Sequence, residues 1–154
     1  MRSLLRGAVA ISLALSSATC GANEPLPLVG KRPAEEVTLA RLLAAPAKFN
    51  GSIVRVIALC TIALEGNALY LSEDDLRQSY QDGNGQSIWL QLGWPVSAAI
   101  RALDHKYVLV EGRFDNTVKG HEGMYAGAIL EVRRIEQSSP EAEAEVRGRL
   151  DGRH

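Results

Sequence analysis

The stretch DNTVKGHEGMYAG, residues 115–127, gathers Lys119, His121, Glu122 and Tyr125 between glycines at positions 120, 123 and 127. An ammonium, an imidazole and a carboxylate so close together could hold an anion or move a proton. A phenol beside them could stack on a ring, and the glycines would let backbone approach a ligand closely. The same composition also suits a plain hairpin end, where glycine supplies positive φ at turns. Metal chemistry is poorly served. His121 and Glu122 give two adjacent ligands, and a site needs more of them at fixed geometry. Asp104 and His105 stand elsewhere, and His154 is the last residue of the chain. No metal is expected.

Catalysis finds no better footing. Ser, His and Asp are present, but no nucleophile elbow or triad context surrounds them. The run Glu73-Asp74-Asp75 reads as a solvated turn or a helix start rather than as a buried, perturbed carboxylate pair. The expectation is a binding protein that is not an enzyme and carries no cofactor. Tyr70, Trp89, Tyr107 and Tyr125 fall on strands or strand ends and could stack bases or sugar rings. The competing reading, which the sequence favours, packs them beneath helices, as large aromatics usually pack.

Positioning these residues falls to a regular pattern between 37 and 136. Thr38 can cap a short helix whose Leu39, Leu42 and Leu43 share a face, with Val37 and Leu42 at staple spacing and Pro46 ending it. SIVRVIALCTIA (52–63) is dense in β-branched residues and reads as a strand with Val54, Val56, Ala58, Cys60 and Ile62 on one face. A turn at 65–67 returns ALYLS as a second strand, and the polar insertion EDDLRQSYQDGNGQ follows. SIWLQL (87–92) alternates into a third strand, and 95–103 reads as a helix. KYVLVEGRFDN and AILEVRRIE supply the fourth and fifth strands, with Gly112 as a bulge or close-approach point. Five strands with a helix between the third and fourth predict a mainly β (α+β) fold. Its form would be a five-stranded OB-fold-like Greek-key barrel with an added N-terminal helix. An α+β sheet with both helices on one face is the alternative. In the barrel, 115–127 joins strands four and five, and Asn67 in the loop after strand one would share its rim. Asn67, Lys119, His121, Glu122 and Tyr125 are therefore the candidate ligand-binding residues.

The ends of the chain bear on location and partners. Arg2, Arg6, the apolar run Ala8–Leu15 and the small residues after it have the layout of a signal peptide over 1–22. The run is too short to span a bilayer, which takes roughly 20 apolar residues. Cleavage before Asn23 or near Ala18 would release the chain. LSSATC also resembles a lipobox, in which Cys20 would be lipidated and become the first mature residue. Either way Cys60 is left without a disulfide partner and reads as a buried thiol. Residues 23–36 read as a linker, 37–136 as the domain, and 137–154 as a charged tail, a frayed helix or disordered. Without Arg2 and Arg6 the 17 Lys+Arg fall to 15 against 18 Asp+Glu, a net charge of −3. That balance argues against a protein that grips nucleic acid mainly by its phosphates.

PAKFNGSIVRVIA (46–58), with EGNALYLS and KGHEGMYAG, resembles small exported OB-fold-like domains of Gram-negative bacteria, an uncharacterised group, across about Val37 to Glu136. The resemblance implies an exported OB-like domain and brings no catalytic residues with it. The reading that follows is an exported, non-enzymatic binding module, periplasmic or lipid-anchored in the cell envelope. Its expected partner is an envelope protein or glycan held by the rim loops, and nucleic acid is expected to be unlikely. A single-stranded nucleic-acid-binding OB domain is the alternative.

Overall fold

The structure is a computed structural model that describes residues 33–64, 66–82, 87–93 and 95–151. The expected signal peptide, Cys20 and most of the 23–36 linker lie outside these residues, as does His154.

Strand β1 (Glu35–Glu36) pairs in parallel with the edge of β2 (Ile53–Thr61). Between them, helix α1 (Leu39–Ala44) begins where the Thr38 hydroxyl accepts the Arg41 N–H at 3.3 Å. A 3-10 turn over Pro46–Phe49 then drives Phe49 inward. Further on come β3 (Ala68–Tyr70), α2 (Glu73–Asp82), β4 (Ile88–Leu90), α3 (Ala98–Arg101), β5 (Lys106–Asp115), β6 (Ala128–Gln137) and α4 (Pro140–Asp151). The polar insertion thus contains a helix, and the charged tail is helical over Pro140–Asp151.

β2 pairs antiparallel with β3, β3 with β4, and β4 runs parallel to β6. β6 then pairs antiparallel with β5, and β5 with β2, so five strands close on themselves. A meander of three strands, a parallel third–fifth pair and closure of the fourth on the first is the OB-fold arrangement. Alternation decides what fills it. Val54, Val56, Ala58 and Cys60 point inward from β2 to meet Val108, Val110, Phe114, Ile88, Leu90 and Ile129, with Leu39 and Leu42 of α1 closing the cluster.

The strand pairing slips between Glu111 and Arg113. At Gly112 a Cβ would stand 2.6 Å from Ile129 Cγ2 and 2.8 Å from the Leu130 carbonyl oxygen, so only glycine lets β6 come this close. Cys60 is a free, fully buried thiol. Burial, with a smaller contribution from Asp104, pushes its pKa up to about 12.

Candidate ligand-binding face

The outward-pointing residues of the same strands form a second apolar cluster. Leu59 of β2, Ala68 and Tyr70 of β3, and Tyr107 of β5 gather there with Leu76 of α2 and Tyr125, and Trp89 of β4 packs against them. Three later segments cover this outer face. Leu76 comes down from α2, the 116–127 loop folds over Trp89, and α4 reaches Tyr107 through Val146 and Arg147. The Arg147 guanidinium lies 4.8 Å from the Tyr107 ring centroid, and the Tyr107 hydroxyl donates to the Leu71 carbonyl at 3.2 Å.

The loop is built by its own hydrogen bonds. Asp115 Oδ1 accepts from the Thr117 N–H at 2.9 Å and from its hydroxyl at 2.6 Å, and these bonds hold the Asp115 carboxyl below its usual range. Lys119 Nζ donates to the Ala126 carbonyl at 2.7 Å, and the Tyr125 N–H donates to the Lys119 carbonyl at 3.1 Å. This closed ring lays Gly120 on the indole. A Cβ there would be 2.8 Å from Trp89 Cδ2 and 2.6 Å from Tyr125 Cδ2, and φ is +62°. The ring of Tyr125 meets Trp89 edge-on, with centroids 5.2 Å apart and planes at 61°. Burial raises the Tyr125 phenol above its usual pKa, with further contributions from Tyr70 and Tyr80.

The five candidate residues therefore separate. Tyr125 is buried and serves as a wall of the aromatic cluster. Lys119 is exposed and tied to the loop backbone. His121 and Glu122 are exposed neighbours whose Nε2 and Oε1 stand 3.8 Å apart, with Glu122 at φ +53°. Asn67 does not join them. Its carbonyl accepts the Leu90 N–H at one end of β4, whereas the Ala126 N–H donates to Ser87 at the other end. The Asn67 Oδ1 is buried and has no hydrogen-bond partner within the described protein. Two ring-bearing side chains that the loop-centred reading did not select complete the picture. Trp89 is half-buried, and Tyr80 of α2, near Tyr125, is 73% exposed. Trp89 was marked by its outward register, but Tyr80 carried no signal because its insertion had no strand or helix assigned.

Cations are largely matched elsewhere on the barrel. Arg55 bonds Glu111 at 3.0 Å and Glu36 at 3.2 Å, Arg113 bonds Glu131 at 3.0 Å, and Arg134 bonds Glu136. Among the described residues, no group of three or more His, Cys, Asp or Glu could hold a metal ion. No helix among them is long and apolar enough to cross a membrane.

No protein-family model matches the chain, and no curated protein matches it. Among solved structures it is similar to one described as the crystal structure of the S. pombe Stn1-ten1 complex. The identity is 15%, over 79% of this chain and 96% of that chain, with a TM-score of 0.42. The expectation of an exported envelope module with a protein or glycan partner, and with nucleic acid unlikely, is corrected here. The solved structure to which the chain is similar is a Stn1-ten1 complex. Of the rim side chains, Tyr125 packs in the cluster, Lys119 donates to the Ala126 carbonyl, His121 and Glu122 are exposed, and the Asn67 carbonyl accepts from Leu90.

Proposed function

We propose that this OB-fold chain binds single-stranded nucleic acid, seating unpaired bases at Trp89 and Tyr80. One observation carries the reading. The outer face of β3 and β4, the face with which OB-folds take oligonucleotides, bears an aromatic cluster with Trp89 at its edge, and the exposed Tyr80 of α2 lies near enough to Tyr125 to help raise its phenol pKa. Base–aromatic stacking contributes about 1–3 kcal/mol per base and is tolerant of sequence. With so many guanidinium groups already paired to carboxylates, stacking rather than phosphate contact would carry the affinity. Binding would then weaken little with salt, by about one phosphate's worth, a log–log slope near −0.7. The role is binding without catalysis.

Fluorescence polarisation of a labelled 12-nucleotide oligo(dT) tests this. The chain should bind it in preference to the matching duplex, and Trp89→Leu and Tyr80→Ser should each weaken binding about tenfold. Equal affinity for duplex and single strand, or a slope of several phosphates, would refute stacking as the mode. Export is a separate proposal supported by the layout of residues 1–22, as is kinship with exported bacterial OB-like domains. N-terminal sequencing of the mature chain from a bacterial host tests the former.

A further inference from the structure

A cavity of about 450 Å³ is lined by α1, the outer faces of β2 and β5, and α4. Its floor includes Ile57 and Leu109, which stand opposite each other across the β2–β5 pair and point away from the barrel core. Val146 of α4 and Val37 supply apolar wall. Three arginines belong to the lining, and two of them are matched: Arg55 by Glu111 and Glu36, and Arg149 by Glu145. Arg41 differs. Its guanidinium lies 5.6 Å from the centroid of the Phe49 ring, and it pairs with no carboxylate among the described residues.

We infer that this cavity, which adjoins the aromatic cluster through Ile57 and Val146 but is lined by neither Trp89 nor Tyr80, is a ligand site for a free single-chain carboxylic acid, with the chain on Ile57 and Leu109 and the carboxylate at Arg41. The size falls within the roughly 300–1,000 Å³ of small-molecule sites, which are mostly apolar with a few placed polar groups. A guanidinium that already rests on an aromatic face is preorganised to receive a carboxylate. Of the charged lining residues, Arg41, Arg55 and Arg149 stand against Glu36 and Glu145, while Glu111, the second partner of Arg55, lies outside the lining.

Isothermal titration of the full chain with monomeric sodium dodecanoate tests the site, with dodecanol as the neutral counterpart. Saturable one-to-one binding is expected. Arg41→Gln should weaken dodecanoate at least fivefold and leave dodecanol unchanged, and Ile57→Trp should abolish both by filling the floor. If Ile57→Trp does not fold, Val146→Trp enters the same space from the helix side and should have the same effect. No saturable binding by the parent chain would overturn the inference, as would unchanged binding in a folded Trp variant or equal losses for acid and alcohol in Arg41→Gln. Binding to anionic phospholipid vesicles without binding of monomeric dodecanoate would also overturn it.

Discussion

The same strands serve two apolar clusters of different character. The inner one is walled by the barrel and capped by α1: Val54, Val56, Cys60, Val108, Val110 and Phe114 meet across paired strands held by ladders of backbone hydrogen bonds, and Leu39, Leu42 and Phe49 close one end. The outer one, around Tyr70, Tyr107, Trp89 and Tyr125, has a strand floor but a roof made of connections. Leu76 comes from an insertion, Gly120 and Tyr125 from a loop, and Val146 and Arg147 from a terminal helix. A closed barrel can lose little without losing the fold. A roof of loops and helices can shift while the barrel stands, which is why the proposed function places the ligand at the outer cluster.

Breaking the inner cluster should be costliest. Phe114→Ala removes a fully buried ring, and urea denaturation should show a loss of about 3–5 kcal/mol. High pH attacks the same cluster through Cys60. Its folded pKa, about 12, lies above the ordinary value of 9.0. The unfolded chain therefore releases the thiol proton first, and the stability present below pH 9.0 is lost as pH rises toward 12. Between pH 9 and 10.5 the loss attributable to this thiol should be about 2 kcal/mol, and Cys60→Ala should flatten that part of the profile.

The outer cluster should answer more mildly. Gly120→Ala combines positive φ with a collision on Trp89 and Tyr125. A cost of about 1–2 kcal/mol is expected, together with an altered Trp emission maximum. Smallest is Arg147→Gln, which removes the cation over Tyr107 and should cost at most about 1 kcal/mol in a thermal melt. If Arg147→Gln or Gly120→Ala proved as damaging as Phe114→Ala, the division into a rigid interior and a separable roof would fail.

The inner cluster was legible because its signal is local. Alternation along SIVRVIALCTIA and KYVLVEGRFDN sets which side chains face in, and the order of five strands around α3 selects the barrel. Gly112 was legible for the same reason, as a glycine in an otherwise continuous strand. The outer cluster depends on meetings between distant segments. Tyr125 was visible as a side chain in a glycine-rich loop, but not as a partner for Trp89, 36 positions earlier. Helix α2 is polar apart from its buried Leu76 and Tyr80 on its exposed side, so it offers no apolar stripe to read. β1 owes its two residues to pairing with β2, which no local preference reveals. Asn67 was placed with the loop because in OB-folds the loops between strands one and two and between strands four and five close on a ligand; antiparallel pairing on one side of β4 and parallel pairing on the other set the two at opposite ends of that strand.

The most direct measurement follows Trp89 emission in a Trp94→Phe background while oligo(dT) is added, then repeats the titration with Tyr80→Ser. The account predicts saturable quenching by single-stranded DNA, little effect of added salt, and a clear loss of affinity in the Tyr80 variant. Emission unchanged at saturating single strand, with polarisation still reporting binding, would place the nucleic acid elsewhere and contradict the stacking face.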